Sequence, residues 1–365
     1  MKIQKKHLFF TFLLPVQIVL VQIAGQYPAF IEHFYSNGIY PMIARLLRFL
    51  FGWIPFSVGD LLLFFLVFAS LRFVYRLCKS RFQNWIAKLV HLTAILSGIY
   101  CCFYLFWGLN YYRAPLKETL GYNQREYTTS QLVNTTYYVV EQLNFYQQNI
   151  TNFDSIQVEN PYSEKKMYQM AVVGYQNLAQ DFPMFAYESP SVKRSFMSLL
   201  QTFNGTSGYF NPLTGEAQVN DRIPKTGYPT TTCHEMAHQI GFAAENEANF
   251  VGFLAANYTD DLYFKYASYR MAFGYLIGEV RKRDRKAYTE IWKKTHKGIL
   301  KDFKNSAAFW ESYKNPFEPL VKKGYNAYLK ANKQDKGTAS YNYVVDLLIS
   351  YLEAQKLQIV PNSKE

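Results

Sequence analysis

The amino-acid sequence predicts a mainly α protein with a minor α+β part: an N-terminal bundle of three transmembrane helices, then a predominantly helical domain with a small β-hairpin or sheet. Two observations predict this fold class. The first is that three long apolar stretches occur before residue 108. The second is that amphipathic helical patterns and one turn-rich, β-prone stretch follow it. The predicted domains are therefore a membrane domain over 1–108 and a second domain over 109–365.

Each apolar stretch has the length of a membrane span. A helix needs about 20 mostly apolar residues to cross the bilayer core. The predicted transmembrane helices cover residues 8–24, 56–75 and 89–107. A signal peptide is an alternative for the first, because it follows a basic N-terminus. Asp60 near the start of the second either lies at the membrane interface or is a functional intramembrane acid.

The positive charge is concentrated beside these spans. Residues 1–108 contain ten Lys and Arg against two Asp and Glu, which is +8 of the total net charge of +12. This distribution fits membrane topology and argues against a nucleic-acid partner. The loop 76–88 is basic and contains no acid, so we expect it in the cytoplasm and residues 109–365 on the other side of the membrane. Residues 43–54 lie in the segment 26–55, which is also expected outside, and their pattern indicates an interfacial amphipathic helix.

The second domain shows caps, helical patterns and one hairpin signal. Thr128 and Ser163 precede amphipathic helices predicted over 128–148 and 162–182. Further helices are predicted over 230–240, 244–257, 260–283, 286–304 and 341–355. Asn-Pro and Thr-Gly turns within SGYFNPLTGEAQVN (207–220) predict a β-hairpin. Only one of the four cysteines, Cys233, lies in this domain, so we expect no disulfide within it and no Cys-x-x-Cys metal site.

The stretch CHEMAHQIGF (233–242) has the spacing of a metal site. Residues four apart lie on nearly the same face of a helix, so His234 and His238 can direct their imidazoles at one ion. Zinc is the expected occupant, since it accepts imidazole and carboxylate ligands. Glu235 lies about 100° around the helix from His234 and can act as a general base toward water at the metal. PTTT (229–232) is the predicted cap, and two surface histidines on an ordinary helix are the alternative.

A catalytic zinc site needs a third protein ligand and an open position. Gly241 can end the first helix with a left-handed turn, and the next helix starts directly after it. Glu245 and Glu247 lie in the first turns of that helix. Asn249 follows Glu245 by four residues and can support a ligand by hydrogen bonding, whereas Val251 takes that position after Glu247. Glu245 is therefore the favoured third ligand and Glu247 the alternative.

These motifs carry a resemblance to known families. His234-Glu-x-x-His238 followed by Glu245-x-x-Ala248-Asn249 resembles the gluzincin branch of zinc metallopeptidases. Only six residues separate His238 from Glu245, fewer than in many gluzincins. The chain also resembles a bacterial membrane-protein family of unknown function, number 3810 in its series. The stretches that carry this second resemblance are WGLNYYR (107–113), GYFNPLTGEAQVN (208–220), CHEMAHQIGFAAENEANF (233–250) and YNYVVDLL (341–348).

The resemblance implies a zincin-like fold and a bacterial membrane protein. Together with the topology expected from the basic loop 76–88, it predicts a multi-pass protein of the bacterial cytoplasmic (inner) membrane with an extracytoplasmic C-terminal domain. In zincins a strand beside the motif helix binds the substrate backbone, and the predicted hairpin is the candidate; a purely structural hairpin is the alternative. A donor for the carbonyl oxyanion is also needed. Tyr341 and Tyr343 match the family pattern, and Tyr343 is the catalytic candidate.

The leading hypothesis is a membrane-anchored zinc metallopeptidase. Zn²⁺ would be held by His234, His238 and Glu245, with Glu235 as general base and the lipid bilayer and envelope or secreted polypeptides as partners. One alternative is a non-proteolytic membrane protein whose zinc module serves structure, sensing or partner binding. Another is a zinc hydrolase that acts on a non-peptide amide. The presence of Glu235 favours catalysis, because a structural site needs no base.

Overall fold

The chain is mainly helical, as the sequence predicts. The computed structural model describes residues 3–122, 126–332 and 341–359. The first helices are α1 (Lys5–Ala24), α2 (Pro28–Phe30), a π-helix (Ile31–Ile39), α3 (Tyr40–Gly52), α4 (Val58–Lys79), α5 (Trp85–Phe106), a 3-10 helix (Gly108–Tyr112) and α6 (Leu116–Thr119). The next elements are α7 (Thr129–Thr151), α8 (Glu164–Asp181), a 3-10 helix (Pro183–Phe185), β1 (Val192–Arg194), α9 (Ser198–Phe203), β2 (Gly208–Asn211) and β3 (Glu216–Val219). The last are α10 (Tyr228–Gln239), α11 (Glu245–Asn257), α12 (Leu262–Arg283), α13 (Arg285–Lys294), α14 (Lys297–Ser312), α15 (Glu318–Ala331) and α16 (Tyr341–Ile359).

Three helices, α1, α4 and α5, are long and apolar enough to cross a membrane, and they coincide with the three predicted spans. α1 and α5 run side by side in the same direction. The hydroxyl of Thr11 donates to the carbonyl of Val90 at 3.0 Å, and the rings of His7 and His91 lie 4.5 Å apart. The start of α1 and the basic loop between α4 and α5 therefore lie at one end of these helices. The start of α4 and the end of α5 lie at the other end. The predicted three-helix bundle is only partly formed, because α1 and α5 pack on each other whereas α4 has few close contacts with either.

The helix α3 packs against the C-terminal end of α10. The Tyr40 hydroxyl and the Arg48 guanidinium both donate to the carbonyl of Gln239, at 2.8 Å and 2.9 Å. The opposite side exposes Phe49 and the following Trp53, which are 72% and 78% exposed. The predicted amphipathic helix is thus present, and its inner face packs on protein. Elements from both sides of residue 108 therefore form shared contacts.

Asp60 anchors the first turn of α4 to the sheet region. It is fully buried, and its carboxylate accepts hydrogen bonds from the Phe196 amide at 2.6 Å, the Ser195 hydroxyl at 3.1 Å and the Tyr209 hydroxyl. The Ser57 side chain caps the same turn by accepting from the Asp60 amide at 2.9 Å. Asp60 is therefore fully hydrogen-bonded to protein groups at the end of the span.

The three-stranded sheet has the order β1-β3-β2. β2 and β3 are antiparallel, with Gly208 opposite Val219, which confirms the predicted hairpin. β1 pairs in parallel with β3 and was not predicted. Glu216 of β3 forms a buried ion pair with Lys193 of β1 and also accepts from the Gly59 amide at 2.5 Å. The sheet thereby binds the amino end of α4, where the helix dipole favours an anion.

The motif helices lie inside the helical core. α10 and α11 pack on each other and on α8, α12 and α16, and their apolar faces are fully buried. The predicted caps Thr128 and Ser163 are confirmed, since each accepts a backbone hydrogen bond in the first turn of its helix. These caps fix where α7 and α8 begin around the core.

Two local predictions are wrong, and one helix was not predicted. PTTT does not cap α10, because the helix already begins at Tyr228 and no side chain caps it. The predicted helix over 286–304 is two helices, broken at Thr295 and His296, whose backbones are extended. Asn144 holds this break by accepting from the His296 amide at 3.0 Å. The helix α15 was not predicted, although Pro319 in its first turn is a start signal.

Candidate metal centre

The helix α10 brings three polar side chains to one place. His234, Glu235 and His238 each offer a ligand-type atom, and these atoms all lie within 4.8 Å of one another. His238 and Glu235 are 5% and 4% exposed. The Nδ1 atom of His238 lies 2.7 Å from the carbonyl of Phe242, which favours the tautomer that leaves Nε2 free as a ligand. The two histidines therefore present ring nitrogens to a shared, largely buried point.

A glycine turn returns the chain toward these histidines. Gly241 has a φ of +95°, and a Cβ atom there would lie 2.9 Å from Cε1 of Tyr40. The predicted left-handed turn is confirmed. Gly252 of α11 allows the two helices to approach closely, since its Cβ would lie 3.0 Å from the His234 amide nitrogen. The short link between His238 and Glu245 is therefore long enough to return Glu245 to the histidines.

Glu245 completes a three-residue cluster. Its carboxylate oxygens lie 3.3 Å from Nε2 of His234 and 3.7 Å from Nε2 of His238. Two ligand atoms at zinc–ligand distances of 2.0–2.1 Å in a tetrahedron lie about 3.3 Å apart. The separations in the cluster are close to that value. The His-His-Glu donor set also fits the chemistry of zinc, so these residues fit the ion that the motif implies.

The electrostatics of the cluster favour a cation beside Glu245. Burial raises the pKa of Glu245, but His234, His238 and the Tyr325 hydroxyl outweigh it and bring the pKa to about 2. Burial lowers the pKa of His238 to about 4, so that ring is neutral. Burial also lowers the pKa of His234, but hydrogen bonding to Glu245 and the Glu235 charge raise it overall. A single positive charge, from a proton or a metal ion, is therefore favoured beside Glu245.

Glu247 points to a different part of the protein. Its carboxylate accepts a hydrogen bond from the Leu116 amide at 2.7 Å. Burial raises its pKa to about 7, while Leu116 and Arg113 oppose that shift. Of the two candidate acids, the structure brings Glu245 to the histidines. Asn249 lines the same cavity as His234, but Nδ1 of the His234 ring is buried without a hydrogen-bond partner among the described residues, so the support of a ligand by Asn249 stays a prediction.

Glu235 lies between the cluster and the edge strand β2. One of its carboxylate oxygens is buried without a hydrogen-bond partner among the described residues. A Cβ atom at Gly208 would lie only 2.7 Å from the other oxygen of Glu235. Burial, with the charge of Glu245, raises the pKa of Glu235 to about 8. The carboxyl group is thus held in place by packing and retains hydrogen-bonding capacity for a ligand.

The cluster opens into a cavity of about 1170 Å³. All four residues of β2 line it, together with His234, Glu235, His238 and Glu245. β2 is the edge of the sheet, and no strand in the described parts of the chain pairs with its other side. The hairpin therefore brings an unpaired strand edge next to Glu235.

The structure does not bring Tyr343 to this cavity. Tyr343 lies on α16, is 46% exposed and is absent from the cavity lining. The side chain of Tyr341 lies outside the described residues. Tyr325 of α15 lines the cavity instead, and its hydroxyl donates to Glu245 at 2.6 Å. Sequence reasoning missed Tyr325, because the only local signal in its segment is that of an amphipathic helix.

Two residues of the WGLNYYR stretch support the end of α10. The indole of Trp107 donates to the carbonyl of His238 at 2.9 Å. Arg113 donates to the carbonyl of Gly241 at 3.0 Å, pairs with Glu32 at 2.7 Å and lies over the ring of Phe242. The stretch after the third span therefore fixes the turn between the metal-site helices.

Comparison with known proteins identifies the family of the chain. No curated protein and no solved structure matches the chain. The model of a protein family of unknown function, DUF3810, matches residues 35–349. This range includes α3, α4, α5, the sheet and the whole His-His-Glu cluster. The chain therefore belongs to the DUF3810 family of proteins of unknown function.

Proposed function

We propose that this protein is a membrane-anchored zinc metallopeptidase with a zincin-like, gluzincin-type site. The observation that carries the proposal is the convergence of His234, His238 and Glu245, with carboxylate–imidazole distances of 3.3 Å and 3.7 Å. Zinc in such a site polarises a carbonyl group and makes water acidic enough to attack it near neutral pH. Glu235 lies in the next position of the same helix and lines the same cavity.

Glu235 is the proposed general base. A zinc ion beside Glu235 would oppose the effect of burial on its pKa and favour the ionised carboxylate. The carboxylate would then accept a proton from the attacking water and pass it to the leaving amine, as the peptide C–N bond breaks and the carbonyl carbon gains the water oxygen. Packing against Gly208 restricts the positions that the carboxylate can take. A structural metal site has no use for such a group, which favours catalysis over the alternative of a sensory or structural zinc module.

Tyr325 replaces Tyr343 as the proposed oxyanion donor. Its hydroxyl contacts Glu245 and lines the cavity, so it lies within reach of a carbonyl bound there. Burial, with the nearby Glu245, raises the pKa of Tyr325 well above its ordinary value, which keeps the hydroxyl protonated as a donor. The edge strand β2 would bind the substrate backbone by strand addition. That mode favours peptides over other amides.

The proposed location is the outer side of the bacterial cytoplasmic membrane. The basic residues of the N-terminus and of the loop between α4 and α5 lie at one end of the three apolar helices, and the cavity lies at the other. By the positive-inside rule the basic end faces the cytoplasm. Envelope or secreted polypeptides are then the accessible substrates.

The test is the metal content of the full chain purified in detergent, followed by a screen for peptide cleavage. We expect about one zinc per chain in the wild type and in Glu235→Gln, and loss of zinc in Glu245→Gln. Glu247→Gln is the matched control and should retain the metal, because that carboxylate binds Leu116. Peptide cleavage should disappear in Glu235→Gln alone among the variants that hold zinc. A wild type without zinc, or cleavage that survives Glu235→Gln, would refute the proposal.

A further inference from the structure

The cavity beside the metal cluster extends between two of the membrane-spanning helices. Leu62, Leu63 and Leu66 of α4 line it, as do Ile99 and Phe103 of α5. These residues belong to two helices that are long and apolar enough to cross a bilayer. The same cavity that contains His234 and Glu235 is therefore walled in part by side chains of the membrane region.

The cavity extends over nearly the same distance along α4 and along α5. Leu66 lies eight residues after Val58, the first residue of α4, which is ~12 Å along a helix. Ile99 lies seven residues before Phe106, the last residue of α5, which is ~10 Å. The apolar core of a bilayer is about 30 Å thick. Measured from the helix ends nearest the His-His-Glu cluster, the cavity therefore extends along both helices by roughly a third of that thickness.

The lining changes from polar to apolar along this direction. Near the cluster it includes Ser207, which precedes Gly208, and Asn249 of α11, whereas the α4 and α5 positions are Leu, Ile and Phe. No charged residue occurs in α4 between Leu61 and Leu71. A substrate that fills the whole cavity must therefore be polar at one end and apolar at the other.

We infer that the substrate is a membrane-anchored polypeptide cleaved just outside the bilayer. An extended polar segment pairs with β2 beside Glu235, and the adjoining apolar segment, still held in the membrane, enters the cleft between α4 and α5. This inference rests on the proposed function and adds the substrate class to it. The strand edge of β2 selects a polypeptide over a phospholipid, because a lipid offers no backbone for strand pairing.

Binding is tested separately from cleavage. The full-length Glu235→Gln protein in phospholipid vesicles is mixed with a synthetic peptide whose polar segment continues into an apolar helix of about 20 residues that carries photoreactive leucine. Light should cross-link the apolar helix to Leu62, Leu63, Leu66 or Ile99, and unlabelled anchored peptide should compete. The polar segment alone should not compete. Cross-links only outside this cleft, or cleft labelling by a photoreactive phospholipid that the anchored peptide cannot displace, would overturn the inference.

Cleavage is tested with two neighbouring residues of α4. Leu66 lines the cavity, whereas Phe65 is 64% exposed and does not. We expect the wild type to prefer the anchored peptide over its unanchored polar segment by kcat/KM, and Leu66→Trp to reduce that preference about tenfold, or about 1.4 kcal/mol. Phe65→Trp should leave the preference unchanged. Equal cleavage of both peptides by the wild type would refute the substrate class but leave the peptidase proposal standing. An absence of zinc and of any cleavage would refute the peptidase proposal, and the cross-linking result would still decide the binding mode.

Discussion

Gly208 lies against Glu235, and its replacement by alanine tests how strictly the carboxylate must be positioned. A Cβ atom at this position would lie 2.7 Å from Oε1 and 2.9 Å from Cγ of Glu235. It would also lie 2.8 Å from the carbonyl oxygen of Gln218 on the paired strand β3. Glu235 is buried and β3 is the central strand, so neither neighbour can move away freely.

The magnitude follows from these distances. Non-bonded carbon atoms are normally about 3.5 Å or more apart, so Cγ of Glu235 must move by roughly 0.6 Å. A displacement of about 1 Å in a catalytic group can cost about 100-fold in rate. We therefore expect Gly208→Ala to lower kcat about 10- to 100-fold and, by overpacking, to destabilise the fold by about 1–3 kcal/mol. Zinc content should not change, because the ligands do not contact Gly208.

The assay combines metal content, peptide cleavage and thermal unfolding of the full chain in detergent. Gly278→Ala in α12 is the matched control, since no atom lies within 4 Å of the Cβ that it would add. That variant should retain full activity and gain up to about 1 kcal/mol from helix propensity. Wild-type activity and stability in Gly208→Ala would show that the packing of Glu235 against β2 has no role, and our reasoning about the base would be wrong.

Three further predictions use contacts around the site. Arg113→Ala should cost about 3–5 kcal/mol in thermal unfolding, because Glu32 loses its ion-pair partner at a largely buried place and the Gly241 carbonyl loses a donor. The exposed ion pair of Arg45 should contribute under about 1 kcal/mol when tested by Arg45→Ala, and equal effects of the two substitutions would contradict this. Tyr325→Phe should keep zinc and lower kcat about 10- to 1000-fold, with Tyr328→Phe as the cavity-lining control. A change in KM with kcat unaltered would argue against an oxyanion role. Lys193→Ala should destabilise the fold by about 3–5 kcal/mol, measured by denaturation, since its acidic partner is fully buried; a neutral result would show that water enters there.

The parts of the site that depend on local rules were predictable from sequence. Helical spacing places His234 beside His238, and the need for φ > 0 after a helix explains Gly241. The choice of Glu245 over Glu247 rested on the residue four positions later, and the structure places Glu245 at the histidines. These inferences succeed because each depends on residues within one or two helical turns.

The predictions that were wrong or missing concern contacts between segments that are distant in the sequence. Tyr325 contacts Glu245, which is 80 residues away in the sequence, and nothing in the segment around Tyr325 indicates that contact. Tyr343 was chosen because its segment resembles a family stretch, which carries no information on where α16 packs. The break at His296 is set by Asn144, a side chain of another helix. Tertiary contacts override local helix propensity in such places.

The hydrogen bonds at the end of α10 have a consequence for the order of folding. The carbonyl of Gln239 is bound by Tyr40 and Arg48, which precede it by 199 and 191 residues, and Trp107 binds the neighbouring carbonyl from 131 residues away. During synthesis these donors are made long before their acceptors, and all three apolar helices precede the His-His-Glu cluster in the chain. The cluster therefore assembles late, after membrane insertion, and a nascent chain has no complete site. A fragment that starts at residue 109 would lack all three donors, so we expect its isolated site to be poorly ordered.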